Sequence, residues 1–225
     1  MKAVVFDMDG LMFDTEAVFV KAWDWVGEKV GIGKAGFMVT ETLGMNMELT
    51  KQKWRERFGD RCSEEEVTRL TFEFIDGFYA ANKVPVKKGL RNLLEYLKKA
   101  GFRMAVASSS PMKDIERNLC DAGIKDYFSA VVSGDMVENS KPAPDIYLKA
   151  CEQLEEKPEE CYALEDSLSG VRAAMAAGCK TVNVPDLWQP DEETRANVAA
   201  VCGDLDEVIE FIKRKDCKNE RVDFS

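Results

Sequence analysis

Two aspartates one residue apart, Asp7 and Asp9, follow a short apolar run, Ala3-Val4-Val5-Phe6, and precede Gly10. An aspartate carboxylate in such a place can attack phosphorus and form an aspartyl-phosphate. A second carboxylate two positions on can protonate the leaving oxygen and later deprotonate a water. Gly10 lets the backbone turn close to the reacting group. Two anions facing an anionic phosphate would repel it, so this chemistry needs a divalent, oxygen-binding cation between them, most simply Mg²⁺. Asp-x-Asp-Gly is also an ordinary surface turn. The residues further along the chain decide between the two.

Three further stretches carry chemistry. Ser108-Ser109-Ser110-Pro111 follows the apolar segment Phe102 to Ala107, and its hydroxyls and free N–H groups form a seat for phosphate. Lys141 stands in Ser140-Lys141-Pro142-Ala143-Pro144-Asp145, where two prolines stiffen the loop and fix the direction of one positive charge. Glu165 and Asp166 form a second acidic pair after the apolar run Cys161 to Leu164. Histidine is absent from the whole chain. That removes every Ser-His-Asp, Cys-His and His-metal mechanism and leaves carboxylates and lysine to move protons.

The elements that must position these groups alternate. A buried strand at Ala3–Phe6 opens the chain, and the rhythm of strand and helix resumes near Val86. Leu90, Leu93, Leu94 and Leu97 mark a helix that stops at Gly101. Strands are expected at Phe102–Ala107, Tyr127–Val132, Cys161–Leu164 and Lys180–Val184. Helices are expected after Pro111, with Ser110 as cap and Pro111 at the first position, after Pro144, over Val171–Ala177, and from Leu205 to about Arg214. Between the first strand and this series, Thr15 to about Lys83 reads as all-helical. Phe19, Ala22, Trp23, Val26 and Val30 share one face, and Ser63-Glu64-Glu65-Glu66 opens a later helix as a capping box. A loop, Gly44-Met45-Asn46, with Asn46 as a cap, interrupts the segment and could face a substrate. The fold class expected is α/β: a Rossmann-like parallel sheet core, residues 1–14 and 87–225, with an inserted all-helical cap, residues 15–86. In such a sheet all the chemical groups lie along one edge.

Composition sets limits. The chain has 225 residues and a net charge of −10, which argues against a nucleic-acid or anionic-membrane partner. No apolar run approaches a membrane span and no signal peptide is evident. Seven scattered cysteines without Cys-x-x-Cys spacing read as reduced thiols, so a cytoplasmic location is expected. A monomer is the expected state.

Taken together, Asp7-Met8-Asp9-Gly10-Leu11-Met12-Phe13-Asp14-Thr15, Ala107-Ser108-Ser109-Ser110, Ser140-Lys141-Pro142-Ala143-Pro144-Asp145 and Glu165-Asp166-Ser167-Leu168-Ser169-Gly170-Val171 resemble the haloacid dehalogenase-like superfamily of phosphohydrolases. The likeness is greatest to its β-phosphoglucomutase and small-phosphatase branch, which has a helical cap. The resemblance implies roles. Asp7 would be nucleophile and metal ligand. Asp9 would be general acid/base and lend its carbonyl to the metal. Ser108, the Ser109 backbone and Lys141 would hold the transferring phosphoryl group. Asp166 would ligate Mg²⁺, with Glu165 as second acidic partner.

The resemblance also implies a small phosphorylated substrate. A mutase of this branch has a histidine where this chain has Phe19, and a cap-loop arginine where this chain reads Gly44-Met45-Asn46-Met47. Hydrolysis is therefore expected ahead of a phosphohexose mutase. A non-catalytic binding protein on the same fold would have little reason to hold all these charges.

Overall fold

The computed structural model describes residues 3–43, 45 and 47–222, with the backbone alone at 60 and 216–222. The Gly44 and Asn46 expectations lie outside the described residues. Ala3–Phe6 is β1, the short run of Val and Ala that the sequence marks as a strand. It sits inside a six-stranded parallel sheet of order β3-β2-β1-β4-β5-β6. The other strands are β2 (Arg103–Ser108), β3 (Ala130–Ser133), β4 (Cys161–Glu165), β5 (Lys180–Asn183) and β6 (Ala200–Val201). The helices are α1 (Thr15–Lys29), α2 (Met38–Glu41), α3 (Met47–Phe58), α4 (Glu64–Ala81), α5 (Leu90–Lys99), α6 (Met112–Asp121), α7 (Asp145–Gln153), α8 (Leu168–Ala176), α9 (Glu192–Asn197) and α10 (Leu205–Val222).

Alternation along β1 explains the layers. Val4 and Phe6 face one side, with Val106 and Leu164, and pack under Leu90, Leu93, Leu94 and Leu97 of α5, Ile115 and Leu119 of α6, and Val208 and Ile212 of α10. Ala3 and Val5 face the other, with Ala105, Ala107 and Ala163, against Ile146, Tyr147 and Ala150 of α7 and Ala173 and Ala174 of α8. Alanines on both sides of that second interface let the helices approach the sheet closely.

The helices between β1 and α5 have a core of their own. Trp23 of α1 meets Trp54 of α3 edge-on at 5.3 Å, and Val67, Leu70 and Ile75 of α4 close the cluster. The Ser63 hydroxyl accepts the Glu66 N–H at 3.4 Å, as the capping box requires. The two chain connections to this helical layer run side by side. Phe13 bridges Val86, Asp14 N–H donates to Pro85 at 2.9 Å, and Lys87 N–H donates to Met12 at 3.0 Å.

Several expectations shift. The third strand starts at Ala130, not Tyr127, because Lys125–Tyr127 form a 3₁₀ turn and Phe128 stacks edge-on against Phe6 at 5.7 Å. The sixth helix begins at Met112, with Pro111 at the cap position, which frees the Ser110 side chain for another partner. The last helix runs on to Val222, since no Gly or Pro stands after Arg214 to stop it. No helix among the described residues is long and apolar enough to cross a membrane.

Candidate active site

The sheet register brings the acids together. β1 pairs β2 on one side and β4 on the other, with Phe6 level with Val106 and Leu164. Asp7 therefore emerges next to Ala107 and Glu165, and its N–H donates to Leu164 O at 3.0 Å. The sheet reverses its winding between β1 and β4, the position where open α/β sheets bind ligands. A cavity of about 920 Å³ opens there. Asp7, Asp9, Ser109, Ser110 and Asp166 line its floor, and Phe19, Trp23, Trp54, Phe72 and Tyr79 line its helical roof.

Lys141 is the hub. It is 3% exposed, and its ammonium donates to Asp7 Oδ1 at 2.5 Å, to Glu165 Oε1 at 2.6 Å and to the Ala107 carbonyl at 3.3 Å. Burial opposes the Lys141 charge, but Asp7 and Glu165 outweigh it and hold the ammonium protonated above its ordinary range. The Lys141-Pro142 peptide is cis. Tyr147, fully buried at the start of α7, donates its hydroxyl to the same Glu165 Oε1 at 2.6 Å. Glu165 Oε2 accepts from the N–H groups of Asp166 and Ser167, at 3.1 and 3.2 Å, and from the Ser167 hydroxyl. There is no room for anything larger than hydrogen at position 170: a side-chain carbon on Gly170 would stand 1.8 Å from Glu165 Oε1.

Asp9 accepts three hydroxyl hydrogen bonds, from Thr15 at 2.8 Å, Ser108 at 3.2 Å and Ser110 at 2.7 Å. Ser108 is fully buried and also accepts the Ser110 N–H at 3.1 Å, whereas Ser109 and Ser110 face the cavity. The serine turn therefore serves Asp9 as well as any anion above it. Ser110 reads in the sequence as a helix cap, and its bond to Asp9 has no local signal.

Asp7, Glu165 and Asp166 bring one carboxylate oxygen each within 4.8 Å of one another. Burial pushes Asp7 and Asp166 well above the usual carboxylate range. Neighbouring acids push the same way: Glu165 and Asp9 on Asp7, against the pull of Lys141, and Glu16, Asp7 and Glu165 on Asp166. Asp166 Oδ2 is buried with no hydrogen-bond partner. A small hard cation fits this donor set: all the ligands are oxygens, and one is bare. Glu165 has both oxygens occupied by protein donors, so Asp7 and Asp166 carry that fit.

One further acid lies here that sequence reasoning missed. Glu16, at the start of α1, is 8% exposed and lines the cavity. Burial, Asp9 and Asp7 raise its pKa well above the ordinary value. In the sequence it reads as a first-turn acid that favours the helix dipole.

The chain as a whole is similar to known proteins. Residues 1–178 match the family model of the haloacid dehalogenase-like hydrolases, and the chain belongs to that family. It is 34% identical over 191 residues to the phosphorylated carbohydrates phosphatase of Thermotoga maritima, covering 81% of this chain and 84% of that protein. It is 30% identical over 186 residues to hexitol phosphatase B of Escherichia coli, covering 81% and 83%. The crystal structure of CbbY from Rhodobacter sphaeroides in complex with phosphate superposes with a TM-score of 0.76 at 26% identity, over 91% of this chain and 95% of that one.

Proposed function

We propose that this protein is a Mg²⁺-dependent phosphatase that hydrolyses a small phosphorylated metabolite of the sugar-phosphate kind through an aspartyl-phosphate on Asp7. The observation that carries the reading is the meeting of Asp7, Glu165 and Asp166, one carboxylate oxygen each within 4.8 Å, with the Lys141 ammonium paired to Asp7 and Glu165 and with Asp7, Asp9 and Asp166 lining the cavity. The Thermotoga and Escherichia phosphatases, one named for phosphorylated carbohydrates and one for hexitols, support the substrate class.

Asp7 and Asp166 would hold the ion, with the Asp9 carbonyl as a further donor. When bound, Mg²⁺ supplies charge neutralisation to the phosphoryl oxygens. The Ser108–Ser109 turn and Lys141 hold those oxygens from the other side. An Asp7 oxygen attacks phosphorus, the bond to the ester oxygen breaks, and Asp9 gives that oxygen a proton. A water, deprotonated by Asp9, then attacks the same phosphorus, the bond to Asp7 breaks, and inorganic phosphate leaves. Glu165, pinned by five donors, keeps Lys141 aimed at Asp7. Residues 15–86 act as the cap that shuts water out, and residues 1–14 with 87–225 form the core. The paired connections at Phe13 and Val86 make the hinge.

Hydrolysis and phosphohexose mutation separate in one assay. With β-glucose 1-phosphate and Mg²⁺, free glucose plus inorganic phosphate is the expected product. Conversion to glucose 6-phosphate without phosphate release would overturn the hydrolase reading. Where that ester is a poor substrate, the same product analysis across hexitol, pentose and hexose phosphates serves.

A further inference from the structure

Glu16 has no part in the hydrolytic steps, yet it stands where an unpaired carboxylate is costly. Its side chain accepts a long hydrogen bond, 3.3 Å, from the Thr15 hydroxyl, which makes its shorter bond to Asp9, and another from its own backbone N–H. The charged groups that act on it most strongly are all acids: Asp9, Asp7 and Asp186. Asp166 in turn feels Glu16 more than any other charge.

Gly10 fixes where the two meet. Its φ of +83° belongs to glycine, and a side-chain carbon there would lie 2.3 Å from Asp166 Oδ2 and 2.9 Å from Glu16 Oε2. The partnerless, buried oxygen of Asp166 and the carboxylate of Glu16 therefore flank one point from two layers of the molecule. A neutral hydroxyl from a substrate would leave this excess of negative charge in place. A shared cation would not.

Glu16 lies outside the trio of carboxylates that come within 4.8 Å of one another. Mg²⁺ also keeps several of its waters when protein carboxylates bind it. We propose that Glu16 accepts hydrogen bonds from water on the divalent ion held by Asp7 and Asp166, and so ties the first helix of the cap to the ion. This rests on the Mg²⁺-dependent reading of the site. Its consequence is that the ion does more than neutralise phosphate: it anchors α1 over the floor of the cavity, and cap position becomes dependent on metal.

The test needs no substrate. Mg²⁺ alone is titrated calorimetrically into wild type, Glu16→Gln and Asp166→Asn, and melting is followed with and without the ion. Loss of an outer-shell acceptor weakens metal binding by about 10- to 100-fold, so Glu16→Gln is expected to bind Mg²⁺ at least about tenfold more weakly. It is also expected to melt above wild type in chelator and to gain less from added Mg²⁺. Glu16→Asp, which keeps the charge but shortens the reach, carries the same test should the glutamine variant fail to fold. Equal Mg²⁺ affinity and equal melting gain in wild type and the Glu16 variant would overturn the proposal, all the more if KM for a sugar phosphate rose alone. Wild type with no measurable Mg²⁺ binding, indistinguishable from Asp166→Asn, would instead overturn the metal reading beneath it.

Discussion

Lys141 is the residue on which the acidic strand ends depend. Removing it leaves Asp7 and Glu165 buried and facing each other without a cation, and breaking a buried ion pair from one side costs about 3–5 kcal/mol. Lys141→Met is therefore expected to lose stability of that order in denaturant titration. Phosphate release should fall by about 10²-fold or more, as when a preorganised charge on a transition state is lost. Gly10→Ala places a carbon against Asp166 Oδ2 at a φ that suits only glycine. It should cost about 1–3 kcal/mol of stability and weaken Mg²⁺ binding, readable by calorimetry. Asp7, Asp9, Ser108 and Asp166 were legible in the sequence because their types are unusual at and just past the ends of apolar strands, and Lys141 because two prolines frame it. Ser110, Tyr147 and Glu16 were not. A serine before a proline reads as a cap, a tyrosine in a helix as core, and a glutamate in a first turn as a dipole partner. Their roles come from neighbours far away in the chain, 101 positions for Ser110 and Asp9.

Elements differ in how far local pattern determines them. Leu90, Leu93, Leu94 and Leu97 mark α5, and all four are fully buried. β6 has two residues and α9 six, too short for a period to show in the sequence. β3 begins three residues later than its apolar run because Phe128 is drawn into the core against Phe6. The helical layer combines two kinds of aromatic residue. Trp54 is 4% exposed at the centre of its cluster, so Trp54→Ala should cost about 3–5 kcal/mol on unfolding in urea. Phe72 is 40% exposed and faces the cavity. Phe72→Ala should leave stability within about 0.5 kcal/mol while raising KM for a sugar phosphate. A matched stability loss in both variants would contradict this difference between a packed and an exposed aromatic of the roof.

For the whole molecule, the acids of the site bear on stability. Asp7, Glu16 and Asp166 all have pKa values raised above the ordinary 3.8 and 4.5. Their contribution to folding is fully present below those ordinary values and is lost as pH rises through the raised ones. In chelator the protein should therefore melt higher at mildly acidic than at neutral pH. Added Mg²⁺ should offset that loss, giving about 2.7 kcal/mol at a hundredfold excess over its dissociation constant. The parallel sheet matters because its order puts β1 between β2 and β4, so groups from three strand ends and one loop come together at one place. The most direct measurement is to quench the enzyme in acid during turnover of a ³²P-labelled sugar phosphate and map the label. The account predicts label on the peptide holding Asp7, released by hydroxylamine, with neither label nor phosphate release in Asp7→Asn. An Asp7→Asn variant that frees phosphate at the wild-type rate would contradict it.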